Sequence, residues 1–160
     1  MRHLLKLLAL PALLLAMPAA AHNGIHIFDP YARIIAGNGV VYFMIDNHAA
    51  SEDTLIAART DTGTAMLMTS AEDANGVMKM RMVMDGLAIA PGAMRVLQPA
   101  ADHVMLSDLT AEPDQGETLV LILTFQNAGE VILTVPVDNT RRTPPTMGPT
   151  EFDIRSEAVD

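Results

Sequence analysis

From residue 25 onward the apolar positions of the chain alternate with polar ones, in short runs broken by turn signals. "IHIFDPYARII" (25–35) and "VVYFMIDN" (40–47) are rich in β-branched and aromatic residues, with a Gly-Asn-Gly turn at 37–39 between them. "TLIAART" (54–60), "TAMLMTS" (64–70) and "VMKMRMVM" (77–84) follow, the last two separated by the polar "AEDANG". "LAIA" (87–90), "AMRVLQP" (93–99) and "HVMLSDL" (103–109) continue the series. "TLVLILTFQ" (118–126) and "EVILTVPV" (130–137) form the clearest hairpin, and the apolar run 119–123 predicts a central strand covered on both sides. No stretch of this region sustains a 3.6-residue period. The expected fold is therefore all-β, a sandwich or barrel in one domain.

The two ends break this pattern. Arg2, His3 and Lys6, the apolar run Leu7–Ala16 and the small residues Ala19 and Ala21 read as a secretory signal peptide over 1–21, leaving His22 as the mature N-terminus. The apolar run is short for a membrane span, and the sequence has no cysteine to take a lipid anchor. The protein is expected to be exported. The domain is assigned to 22–138. After Val137 the sequence turns Pro-rich and charged, so 139–160 is expected to be a flexible tail.

Charge and cysteine usage narrow the chemistry. The formal net charge is −9; without Arg2 and Lys6 it is eight basic against 19 acidic residues, or −11. Nucleic acid and anionic membrane are poor partners for such a chain. The absence of cysteine excludes disulfides, thiol catalysis, Cys-zinc sites and a blue-copper centre. A soft-metal site would have to use Met and His. Hydrolytic motifs are also missing: there is no Gly-x-Ser-x-Gly, no His-Glu-x-x-His and no phosphate loop. The protein is not expected to be an enzyme.

Of the 12 methionines, six fall between residues 66 and 84. On strands, Met66 and Met68 share a face; so do Met78, Met80, Met82 and Met84, and so do His103 and Met105. Such stripes commonly fill a core short of aromatics, and that reading stays open. Against it, Lys79 and Arg81 alternate with the methionines of 77–84, so that strand has a solvated face. His103 and Met105 also offer an imidazole and a thioether to one point. Thioethers suit cuprous copper and are poor ligands for zinc, calcium or magnesium.

The stretches "DPYAR", "VVYFMIDNH", "GVMKMRMV", "LAIAPGAMRVLQPAADHVML" and "GETLVLILTFQNAGEVILTVPV" resemble the periplasmic copper chaperones of the PCu(A)C family over residues 22 to 138. The resemblance implies a cupredoxin-like Greek-key β-sandwich that binds Cu(I) through Met68, Met80, His103 and Met105. It implies a location in the periplasm and delivery of copper by ligand exchange, to a cytochrome c oxidase subunit or another copper-assembly protein. The first ligand is commonly His in the family and is Met68 here, in "LMTS"; Met82 stands where Pro is expected. Met66 and Met78 are rivals for Met68 and Met80, while Met82 and Met84 read as packing residues. A copper buffer or resistance protein, and a metal-free interaction module, are the alternative functions, and the chain is expected to be a monomer. His22 with His26 could form a second, Cu(II) site. His48 reads as a surface turn residue, and Met147 is a further thioether in the tail.

Overall fold

The computed structural model describes residues 24–147. The signal-peptide assignment, His22 and the chain from residue 148 lie outside them. Ten strands follow in order: β1 (Ile25–Ile35), β2 (Asn38–Asn47), β3 (Asp53–Arg59), β4 (Thr64–Glu72), β5 (Met78–Met82), β6 (Leu87–Ile89), β7 (Met94–Leu97), β8 (His103–Ser107), β9 (Thr118–Phe125) and β10 (Gly129–Pro136). No helix occurs among the described residues, so none there is long and apolar enough to cross a membrane.

Every strand expected from the alternation is present, with ends shifted by a few residues at most. One turn is displaced. Ala36 and Gly37 both have positive φ (51° and 74°), and Ile35 pairs with Asn38. This is the two-residue hairpin whose turn matches strand twist, and it draws Asn38 and Gly39 into β2.

The strands form two sheets. One runs β1-β2-β8-β4-β5, with β7 also paired to β2; the other runs β10-β9-β3-β6. Every named strand pairing is antiparallel, and neighbours in space are often distant in sequence, as Greek-key crossovers require. The two sheets enclose an aliphatic core that includes Val41, Phe43, Leu67, Val104 and Leu106 from the first and Leu55, Leu121, Leu123 and Phe125 from the second. The fold is thus the expected cupredoxin-like sandwich.

The apolar run in β9 is covered fully on one face and in part on the other. Leu119, Leu121, Leu123 and Phe125 are buried, but Val120 on the reverse side is 43% exposed. The expectation of cover on both sides is met at Ile122, which is 7% exposed on that reverse side, and fails at Val120 beside it.

The segment after Val137 departs from expectation in the opposite sense. Over residues 138–147 it runs along the free edge of β1, where Ala32 bridges Val137, and then over the outer face at Tyr31. The Asp138 amide donates to the Ala32 carbonyl (2.8 Å), and the Ile34 amide donates to Asn139 Oδ1 (2.7 Å). Arg141 pairs with Asp29 and lies 4.1 Å over the ring of Tyr31, whose hydroxyl donates to the Thr143 carbonyl (3.0 Å). Pro145 is buried. Composition suggested a flexible tail because the segment lacks an apolar pattern; it is held instead by polar and cation–π contacts.

Candidate metal site on the outer face of the first sheet

Leu67 of β4 and Val104 of β8 point into the core, so their neighbours in sequence face outward. The register then decides which outward residues meet. Across β4 and β8, Met68 is directly opposite His103, and Met66 is directly opposite Met105. Across β4 and β5, Met68 is opposite Met82, Ser70 opposite Met80, and Glu72 opposite Met78. Directly opposed residues share a face, with Cα atoms about 4.5–5.5 Å apart. Met66, Met68, Met78, Met80, Met82, His103 and Met105 therefore occupy one continuous face.

Within that face His103, Met68 and Met82 form a row, with Met66 and Met105 in the row beside it. Met80 is one step away on the other side, opposite Ser70. The register thus brings Met68, His103 and Met105 together as expected and places Met82, rather than Met80, directly across from Met68. Nor are Met82 and Met84 packing residues: they are 51% and 81% exposed. Their neighbours explain why. Val83 still packs on the core, but Arg81 and Lys79, on the same side of β5, are in solvent. The core ends beneath Leu67 and Val83, so the rest of the β4–β5 hairpin overhangs it.

His103 is oriented for ligation. It is 4% exposed, and its Nδ1 lies 3.0 Å from the Ala101 carbonyl oxygen. A carbonyl only accepts, so Nδ1 carries the hydrogen and donates. In the neutral ring this leaves Nε2 with its lone pair free, which is how a backbone partner fixes the tautomer of a metal-binding histidine. Nothing in the local sequence marks Ala101 for this role; its positive-φ neighbour Ala100 (φ 62°) turns the chain just ahead of β8.

The aromatic flank was not anticipated from the sequence either. Tyr42 lies beside His103, with ring centroids 6.3 Å apart, and Tyr31 lies beside Tyr42 at 5.3 Å. Burial pushes both hydroxyls above their ordinary value of 10.0, opposed chiefly by Arg141 at Tyr31 and by Arg33 at Tyr42, so the two phenols are neutral near pH 7. Arg33 stands in the row that continues through Val40 to Met105, and its Nε is buried without a hydrogen-bond partner. The donors on this face are thus neutral thioethers and an imidazole, with a fixed positive charge on β1.

The hairpin tip beyond the site is firmly built. Asp73 Oδ1 accepts from the amides of Asn75 (2.8 Å) and Val77 (3.1 Å), and Asp73 Oδ2 pairs with Lys79 Nζ (2.7 Å). The Lys79 contact, followed by those amides, holds the Asp73 carboxyl below its ordinary value.

The other histidines lie elsewhere on the sheet. His26 is directly opposite Asp46, whose Oδ2 is 2.8 Å from His48 Nε2; the two imidazole rings are 5.1 Å apart and nearly perpendicular. The His48 side chain is well exposed, as expected for a turn residue. Among the described residues, no group of three or more His, Asp or Glu could hold a metal ion.

Fold and donor set together define a class: a cupredoxin-like sandwich with a thioether–imidazole face on its outer sheet. The match to the LpqE-like lipoprotein family spans residues 25–137, so the chain belongs to that family. No curated protein matches it. Solved PCuAC domains share its fold. The apo PCuAC domain from PmoF1 superposes with TM-score 0.60 at 24% identity, covering 72% of this chain and 93% of that one. The copper-bound PCuAC domain from PmoF2 gives 0.59 at 21%, covering 72% and 92%. The Cu(I) form of DR1885 from Deinococcus radiodurans gives 0.54 at 23%, covering 79% and 83%. The resemblance to PCu(A)C domains thus holds across the fold.

Proposed function

We propose that this protein is a Cu(I) carrier that works in the periplasm and passes copper on by ligand exchange. The observation that carries the reading is the row His103–Met68–Met82, flanked by Met66 and Met105, with His103 Nε2 left free by the Nδ1 contact to Ala101. The ligand set we propose is His103, Met68 and Met105, completed by a thioether of β5. Met80 fills that last position by family resemblance, and Met82 fills it by register. Soft, uncharged donors favour a monovalent cuprous ion over divalent ions. The copper-bound PmoF2 domain and Cu(I) DR1885 are built on the same fold, which supports the reading.

Ligand exchange needs one side of the ion to be approachable. His103 is buried and anchored, whereas the β5 thioethers stand in solvent. A recipient can displace the β5 thioether first while His103, Met68 and Met105 still hold the ion. The recipient we propose, from the PCu(A)C resemblance, is a cytochrome c oxidase subunit or another copper-assembly protein. The role is carriage, with no covalent change in the carrier. Export follows from the signal peptide read in residues 1–21.

The test is competition for Cu(I) against a chromogenic chelator under reducing, anaerobic conditions. The purified protein should take up Cu(I) tightly. His103→Ala should weaken that uptake by more than the roughly 10–100-fold that loss of an outer-shell partner costs a metal site. A wild-type protein that cannot compete for Cu(I) at all would sink the proposal.

A further inference from the structure

The donors of the outer face are neutral, but one cation stands beside them without a counter-charge. The register runs Arg33–Val40–Met105 across β1, β2 and β8, so Arg33 shares the outer face with the Met105 thioether. Two strand spacings put its Cα about 10 Å from that of Met105. Tyr31 and Tyr42 occupy the row beside it, and Tyr42 leads on to His103, with ring centroids 6.3 Å apart.

Among the described residues three arginines are half-buried: Arg33, Arg95 and Arg141. Arg95 pairs with Asp102 and Arg141 with Asp29, so each of those charges is neutralised where it stands. Arg33 pairs with no carboxylate among the described residues, and its Nε is buried without a hydrogen bond. Leaving a half-buried guanidinium unpaired costs stability that an aliphatic side chain would not. The charge also reaches toward the site: it is the influence that opposes burial at the Tyr42 hydroxyl, on the ring beside His103. The other charges near the face are less well placed. Lys79 and Arg81 lie on the reverse side of β5 in solvent, where screening weakens them. The carboxylate of Glu72 is exposed at the far end of β4, three strands from Arg33.

Repulsion from a fixed positive charge grows with the charge of the bound ion. At about 10 Å and an effective dielectric constant of about 20, one unit charge lowers the affinity for a monovalent cation about tenfold and for a divalent one about a hundredfold. We propose that Arg33 is a selectivity residue of this face, whose uncompensated charge discriminates against Cu(II) while the neutral donors keep Cu(I). It rests on the Cu(I) reading given above, and it adds charge to softness as a basis for the choice of ion.

Chelator competition gives the Cu(I) and Cu(II) affinities of the purified protein, and voltammetry of the Cu(I)-loaded protein gives their ratio. Arg33→Gln should bind Cu(I) about tenfold and Cu(II) about a hundredfold more tightly than wild type. Its reduction potential should then fall by about 59 mV, the equivalent of that tenfold change in ratio for one electron. Arg33→Leu, also neutral, should match it, and Arg33→Lys, which keeps the charge, should stay with wild type. Unchanged affinities and potential in Arg33→Gln and Arg33→Leu overturn the inference and leave the carrier reading standing. So does an Arg33→Lys that shifts as far as Arg33→Gln, for packing and not charge would then be the cause. A wild-type protein that takes up no Cu(I) overturns both.

Discussion

The two halves of the Met-rich face are built on opposite terms. β8 and the first half of β4 are part of the sandwich. Behind His103 and Met68 lie Val104 and Leu67, 0% and 4% exposed, so the donors stand on a packed wall. β5 has no such wall. All five of its residues are exposed, and β4 is its main neighbour. On the carrier reading, one half would hold the ion in fixed geometry and the other would present exposed thioethers to a partner. A carrier needs both, because tight geometry alone retains copper and mobile thioethers alone lose it.

The comparison breaks most visibly in stability. Leu67→Ala removes a buried side chain between the sheets and should cost about 2–5 kcal/mol. Met80→Ala, on the same hairpin but outside the core, should stay within about 0.5 kcal/mol of wild type. Denaturant unfolding midpoints check both. Comparable losses would mean that β5 is part of the folding core, and the division into wall and arm would fail.

A subtler test asks which β5 thioether completes the copper site. Met82 is directly opposite Met68, whereas Met80 is displaced by one row. Met82→Leu should weaken tight Cu(I) binding about tenfold, and Met80→Leu should leave it nearly unchanged, for volume is conserved in both. The reverse order would restore the ligand set that family resemblance alone implies. It would also show that the hairpin shifts register or bends when it takes copper.

Much of this was legible in the sequence, for a definite reason. Alternation with period two is a local signal, and β strands 25–35 through 130–137 announced themselves by it. The pairing of His103 with Met68 was half legible: each lay on a strand with a known face, but only the register states that they are opposite. Register comes from long-range pairing and core packing, as with Leu67 against Val104, and a single sequence does not print it. That Met82, and not Met80, lies directly opposite Met68 was hidden for the same reason. Ala101 was invisible because a backbone carbonyl partner leaves no mark in residue type. The segment 138–147 was misjudged because its anchors are few and polar. Asp29 sits at positive φ (51°) in a bulge of β1, and its bond to Arg141 spans 112 residues.

That anchor provides the smallest of the effects and has a sign that can be worked out. Asp29 accepts from Arg141 and from the Thr146 amide (2.8 Å). The Arg141 contact is the largest influence on its carboxyl; burial opposes it, and the net result lies below the ordinary 3.8. In the folded state Asp29 therefore gives up its proton more readily than in the unfolded state. Its contribution is complete above the unfolded value and is lost as pH falls through the lower folded one. The two side chains are about one-fifth exposed, so solvent screening holds the contribution to about 1 kcal/mol. Asp29→Asn should thus be less stable than wild type at pH 7, with the gap closing toward pH 3. Asp73 and Asp138 are also lowered and add the same direction of pH dependence to both proteins, so the difference between the two isolates Asp29. A gap that stayed constant down to pH 3 would show that the segment is held by Tyr31 and the backbone contacts, with the ion pair contributing nothing.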